Sequence, residues 1–218
     1  DKLDAIYLHT AGSDYGRLAY DFPTGQRGLH LGVSGSLLHY SIVENDVAGT
    51  KPYGKSESAE FNASYPLWRT VMTDIKLTSF LQYKHFSNSD DTGLKSNYNV
   101  NLFNVGTSVK QLNTLFAGGQ SNANLDLDYG DTNYGPYKTY QDAQTLQNTG
   151  GHFNRARVNM VHTQFIKEDI SASFKFYGQV ADVNLDSSQK IYLGGPTGVR
   201  AYAVNEGSGS EGYVVNAE

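Results

Sequence analysis

Apolar and polar residues alternate with period two through most of the chain, and helical periodicity is nearly absent. Ile170, Ala172, Phe174, Phe176, Gly178 and Val180 form one face of a segment whose other face is Ser171, Ser173, Lys175, Tyr177 and Gln179. Ala123, Leu125, Leu127 and Tyr129 alternate with Asn122, Asn124, Asp126 and Asp128. Ile75, Leu77, Leu81 and Tyr83 alternate with Lys76, Thr78, Gln82 and Lys84, and Phe61, Ala63, Tyr65 and Leu67 with Asn62, Ser64 and Pro66. The pattern predicts about ten strands or strand pieces. In two segments the apolar phase slips, between Leu37 and Leu38 and between Leu102 and Phe103. A bulge at each is one explanation. One short helix is expected, over Tyr140–Gln147.

The connections are predicted to alternate in length. Residues 23–27, 69–73, 112–114 and 167–169 read as tight turns, and 44–57, 86–96, 131–150 and about 183–212 as long loops. Tight turns at one rim and long loops at the other are the asymmetry of outer-membrane barrels. Aromatic residues gather near the expected strand ends, among them Tyr20, Phe22, Tyr65, Trp68, Tyr83, Tyr129 and Phe165, as in interfacial girdles. The fold class expected is all-β, an antiparallel transmembrane β-barrel.

Composition changes this picture little. Hydrophobic residues are only 39%, and no run approaches the length of a membrane helix. A barrel strand needs only about 9–11 residues, with every second one apolar, so a low apolar content fits a barrel. The net charge of −5 comes from scattered residues without a basic run, which argues against nucleic acid as the partner. The chain starts at Asp1 without Met or an apolar leader and ends inside an expected strand, so it is read as a fragment.

Candidate chemistry is sparse. The six histidines stand singly and no pair has zinc-ligand spacing. No nucleophile elbow, phosphate loop or dinucleotide fingerprint occurs. Asn124–Asp131 resembles a calcium loop only loosely, so Asp126 and Asp128 read as carboxylates on the polar face of a strand. Arg155 and Arg157 lie on a polar face as well. No enzyme, metal or cofactor is expected.

The most specific segment is Leu193-Gly194-Gly195-Pro196-Thr197-Gly198-Val199-Arg200-Ala201-Tyr202, followed by a glycine-rich run into Tyr213-Val214-Val215. It resembles the conserved loop of two-partner secretion transporters, the haemolysin secretion/activation family, whose pattern is Gly-Gly-Pro, a variable pair, then Val-Arg-Gly-Tyr or Val-Arg-Gly-Phe. Ala201 stands where the family prefers Gly. Asp21-Phe22-Pro23-Thr24-Gly25 and Tyr65-Pro66-Leu67-Trp68-Arg69 resemble the family's strand-to-turn stretches. The resemblance implies that residues 1–218 are part of a barrel of roughly sixteen strands. It places the periplasmic transport-associated domains, a plug helix and the last strands outside this chain. It further implies that the loop folds into the lumen, where the Arg meets an acidic motif on a later strand. Within this chain Asp126 and Asp128 are the expected acidic partners of Arg200, because a guanidinium in a lumen needs carboxylates or water for its planar donors. The function implied is export of a secreted exoprotein (an adhesin, haemolysin or contact-dependent toxin) by a monomeric barrel in contact with outer-membrane lipid and lipopolysaccharide. A passive porin-like channel and a barrel-assembly protein of the same superfamily are the alternatives.

Overall fold

The computed structural model describes residues 1–25, 27–41, 51–91, 93–137, 149–195, 198, 199, 202, 203 and 206–218. The strands, in chain order, are β1 (Lys2–Thr10), β2 (Ser13–Thr24), β3 (Leu29–Ser41), β4 (Tyr53–Arg69), β5 (Thr73–Asp90), β6 (Gly93–Asn113), β7 (Gly119–Asn133), β8 (Gly151–Lys167), β9 (Ile170–Ala181), β10 (Ile191–Tyr192), β11 (Ser208–Gly209) and β12 (Gly212–Ala217). Ten of them form one sheet in the order β1 to β9 and then β12, so almost every strand pairs with its sequence neighbour. The short β10 and β11 pair with each other inside the connection from β9 to β12. Among the described residues no helix is long and apolar enough to cross a membrane, which says nothing about crossing by strands.

Two compact units divide the chain. The first comprises residues 1–63, 80–103 and 130–152, the second residues 64–79, 104–129 and 153–218. In the first, Ala19, Tyr98, Val100, Leu102 and Tyr134 are buried. Tyr98 stacks between Phe86 and Tyr134, with ring centroids 4.9 and 4.8 Å apart. In the second, the buried apolar residues are few, Phe153, Leu185, Ile191 and Val214, and buried polar groups outweigh them.

The period-two reading holds on the strands. Leu125, Leu127 and Tyr129 are exposed, while Asp128 between them is buried and Asp126 partly buried. On β12, Tyr213 and Val215 are exposed and Val214 is buried. Such inversion, with large apolar side chains outside and polar ones inside, is what a lipid-facing sheet requires.

Two expectations need correction. Neither phase slip shows as a bulge in the β2/β3 pairing or in the burial along β6. The β2/β3 register runs unbroken from Ser13↔Tyr40 to Thr24↔Leu29, across Leu37 and Leu38. On β6 burial alternates without interruption from Val100 to Gly106. The change is chemical: Val100 and Leu102 fill the buried face, then Asn104 and Gly106 take it over while Phe103 and Val105 occupy the exposed face. The register shift that does occur lies beside a turn, between Phe165 and Lys167.

The long loop expected over 86–96 is mostly strand. β5 runs to Asp90 and β6 begins at Gly93, so the reversal is tight. At 18 and 21 residues these strands far exceed the span of a bilayer, and the hairpin extends beyond it. The rim carrying the long connections is therefore mixed, since the β1–β2 reversal at residues 11 and 12 is also tight, whereas the reversals at 25–28, 70–72, 114–118 and 168–169 are all short. The helix expected over Tyr140–Gln147 lies outside the described residues.

Gly106 shows how closely the strands of the second unit interlock. A Cβ there would lie 2.6 Å from Asp126 Oδ1 and 2.9 Å from both Leu125 O and Thr78 Oγ1. Gly106→Ala is expected to cost about 1–3 kcal/mol. A lowered urea midpoint of the protein folded in phospholipid vesicles checks it; an unchanged midpoint would show that the neighbours yield freely.

Candidate functional site

The polar face of the second unit gathers one charged cluster. Asn104 comes from β6, Asp126 and Asp128 from β7, Arg155 and Arg157 from β8, and Gln179 from β9. Alternation puts them on a common face, and the ladder sets Arg157 opposite Gln179. The Asp128 carboxylate is the centre. Its Oδ2 accepts Arg155 Nε and Arg157 Nε, both at 2.8 Å. Its Oδ1 accepts Asn104 Nδ2 at 2.7 Å and Arg157 Nη2 at 3.2 Å. Four donors use the full acceptor capacity of one carboxylate. Asp126 accepts the other hydrogen of Asn104 Nδ2 at 3.1 Å. Asn104 is fully buried and its Oδ1 has no hydrogen-bond partner.

The cluster also fastens the connection from β9 to β12. Arg155 Nη1 donates to Gln189 O at 2.8 Å. Gln179 Nε2 donates to the same carbonyl at 3.1 Å and to Ser210 O at 3.0 Å. Gln189 closes a short 3-10 turn, Ser187–Gln189, capped by Asp186, whose Oδ1 accepts Ser188 N. Leu185 N donates to Ser210 Oγ, and Ile191↔Gly209 and Tyr192↔Ser208 pair as a small ladder. At the loop's first residue, Asp182 accepts Asn154 N and Asn154 Nδ2 at 2.8 and 2.6 Å. Those two donors hold the Asp182 carboxyl below the usual carboxylate range. A cavity of about 520 Å³ lies between the loop's Tyr192 and Gly198 and the strand residues Asn159, Lys175, Tyr177 and Asn216. The loop therefore lies over the polar face.

The motif residues sit at the far end of this loop. Gly194 bridges to Val199, and its N donates to Glu206 O at 3.0 Å. Val199 N donates to Leu193 O at 2.7 Å, and Tyr202 N to Val199 O at 3.1 Å. Gly198 is buried, and a Cβ there would meet the Leu193 carbonyl. Gly195, also buried, adopts φ 107, a conformation that L side chains rarely take. Tyr202 is exposed. Pro196, Arg200 and Ala201 lie outside the described residues. The two carboxylates named from the sequence, Asp126 and Asp128, do come together with arginines on the polar face, and those arginines are Arg155 and Arg157.

Asn104, Gln179 and the Gln189 carbonyl were not singled out by sequence. Asn104 had one signal, a polar residue just past the phase slip at Leu102 and Phe103. Gln189 acts through its main chain and offered none. Among the described residues no group of three or more acidic or histidine side chains is placed to hold a metal.

An antiparallel sheet with an apolar exposed face, a charged buried face and a glycine-rich loop fastened over the latter has the fold class of transmembrane β-barrels. The chain belongs to the haemolysin secretion/activation family: the family model described as haemolysin secretion/activation protein ShlB/FhaC/HecB matches residues 7–218. The heme/hemopexin transporter protein HuxB of Haemophilus influenzae strain 86-028NP is 26% identical over the whole chain, which spans 38% of that relative. HuxB of strain ATCC 51907 is 25% identical with the same coverage. Among solved structures, CdiB from Acinetobacter baumannii matches 94% of this chain with 36% of its own, at a TM-score of 0.70 and 16% identity. That likeness shows the fold.

Two outcomes are expected. Replacing Asp128 by Leu removes the carboxylate from the buried Arg155 and the partly buried Arg157, and should destabilise the folded protein by about 3 kcal/mol in urea unfolding. Asp128→Asn, which keeps the shape, should fall between. For Asp182 the folded carboxyl titrates below its unfolded value, so its contribution is present above about pH 4 and is lost as pH falls through the depressed value. Protease nicking within 182–211 should therefore stay flat from neutral pH down to about pH 4 and rise below it, less so in Asp182→Asn. A flat profile down to pH 3 would remove Asp182 from the clasp.

Proposed function

We propose that the complete protein is an outer-membrane pore that exports a partner exoprotein by two-partner secretion, and that this chain supplies part of its wall and the loop that occupies its polar route. Family membership supports the class of activity. The observation that carries the reading is the fastening of the 182–211 connection to the polar face through Arg155, Gln179 and the Gln189 carbonyl. A polar face with balanced charge suits passage of an unfolded polar chain, since it offers hydrogen bonds without one strongly attractive sign. The exposed apolar face suits outer-membrane lipid. The cargo class is a large secreted exoprotein; relatives that share this stretch carry the name heme/hemopexin transporter. No bond-making chemistry belongs to the role.

Within this reading Arg200 acts through a carboxylate of the route. Asp128 is already saturated by Arg155, Arg157 and Asn104, and Asp126 retains acceptor capacity.

The test is secretion of the cognate exoprotein by the full-length protein. Arg200→Ala and Gln179→Ala should each lower the exoprotein in the medium while heat-modifiable barrel in the outer membrane stays near wild type. Secretion at the wild-type level by both variants would take the loop out of the mechanism. A steady ion conductance with no dependence on the exoprotein would favour a passive channel.

A further inference from the structure

Two neighbouring turns of the second unit end in large apolar side chains. The β4–β5 turn presents Val71 and Met72, and the β6–β7 turn presents Leu115 and Phe116; Val71 is 90% and Phe116 79% exposed. Leu112 N donates to Met72 O at 2.7 Å, so the two turns adjoin. A turn bathed in water is normally built from Gly, Asn, Asp, Ser or Pro. These two carry no acidic residue.

Phe116 is held outward against its backbone preference. Its φ is 53, the one positive value at a non-glycine among the described residues. For a bulky residue that is an outlier, and such outliers persist only where the surroundings impose them. Here they do. Gln164 Nε2 donates to Leu115 O and Gly118 O, both at 2.8 Å. Asn113 Oδ1 accepts Leu115 N at 3.1 Å, and Gly118 N donates to Leu115 O at 2.8 Å. Ala117 N donates to Phe165 O, and Phe165 N to Gly118 O. Leu67, Trp68 and Phe165 are exposed at the strand ends next to these turns, Leu67 and Trp68 on opposite faces of β4, and the exposed Arg69 lies 3.6 Å from Asp74. Exposed aliphatic and aromatic groups next to a Trp and an Arg match the chemistry of the headgroup–acyl boundary of a phospholipid leaflet. The next turn, with Glu168 and Asp169 at its tip, lacks that chemistry.

We propose that the 70–72 and 114–118 turns dip into the phospholipid leaflet as anchors, so that this part of the short-turn rim lies within the membrane interface, while the 168–169 turn stays in water. The proposal rests on the membrane reading above, and its test separates the two.

Single-tryptophan variants of the full-length protein, with native tryptophans replaced by Phe, are folded into phosphatidylcholine vesicles brominated near the headgroup end of the acyl chains. Leu127→Trp, on the exposed face of β7, reports the membrane reading alone. Phe116→Trp and Val71→Trp report the anchors, and Glu168→Trp the control turn. The expected result is lipid quenching of about twofold for Leu127→Trp, Phe116→Trp and Val71→Trp, and quenching of Glu168→Trp only by aqueous iodide. Iodide quenching without lipid quenching at Phe116→Trp and Val71→Trp overturns the proposal, and so does protection from both quenchers, which would mean that protein covers the turns. Lipid quenching of Glu168→Trp equal to theirs overturns the contrast between turns. Loss of quenching at Leu127→Trp sinks the membrane reading instead. Where Phe116→Trp does not insert, Val71→Trp reads the same patch from an ordinary backbone position.

Discussion

The charged cluster of the second unit rests on one requirement: the guanidinium groups of Arg155 and Arg157 need acceptors on a face largely shielded from water. Asp128 can take four hydrogen bonds and does, three of them from Arg155 and Arg157. A further donor of Arg155, Nη1, goes to a main-chain carbonyl of the connecting loop. The wall and the loop are thus coupled through one guanidinium group. The same requirement guards strand register. A one-residue slip of β8 would turn Arg155 and Arg157 to the apolar face and bring Ala156 and Val158 against Asp128. The cluster therefore specifies pairing more than it adds stability, since a buried ion pair gives back much of its Coulomb energy in desolvation.

How far the sequence revealed this depends on which physical quantity each feature needs. Period-two alternation reports which side chains share a face, so Asp126 and Asp128 were legible as polar-face carboxylates, and Arg155 and Arg157 as polar-face cations. It does not report how far a strand continues once both faces meet water, which is why 86–96 read as a loop although β5 and β6 pair through it to a tight reversal. Apolar phase is also a poor guide where the buried face changes chemistry. Val100 and Leu102 are buried on one face of β6, and two residues later Asn104 occupies that face among carboxylates. The resulting slip resembles a bulge in the sequence, and only pairing tells the two apart. The loop's anchor was illegible for a different reason. Its acceptor is the Gln189 carbonyl, and a main-chain group leaves no residue-type signature.

The motif that names the family and the cluster that holds the loop are different parts of one device. Glycines at 194 and 198 permit backbone to pass where a Cβ would strike the carbonyls of Ala203 and Leu193. The polar side-chain contacts that hold the loop concentrate at its base, through Arg155, Gln179, Asp182 and Ser210.

The base contacts also set how much of the loop is free to move. Asp182 with Asn154, Leu185 with Ser210, Gln189 with Arg155 and Gln179, and the β10/β11 pairs close the connection in successive steps. Each step shortens the segment still to be ordered. The entropy of closing a flexible segment grows only logarithmically with its length, so trimming the ends changes the cost of ordering the tip by less than about 1 kcal/mol. The gain is geometric. With Ile191 and Tyr192 tied to Gly209 and Ser208, and Leu193 N and Gly194 N donating to Gly207 O and Glu206 O, the two limbs of the connection are held side by side. The strand register that these arginines guard and the contacts that hold the base of the loop therefore depend on the same charged cluster.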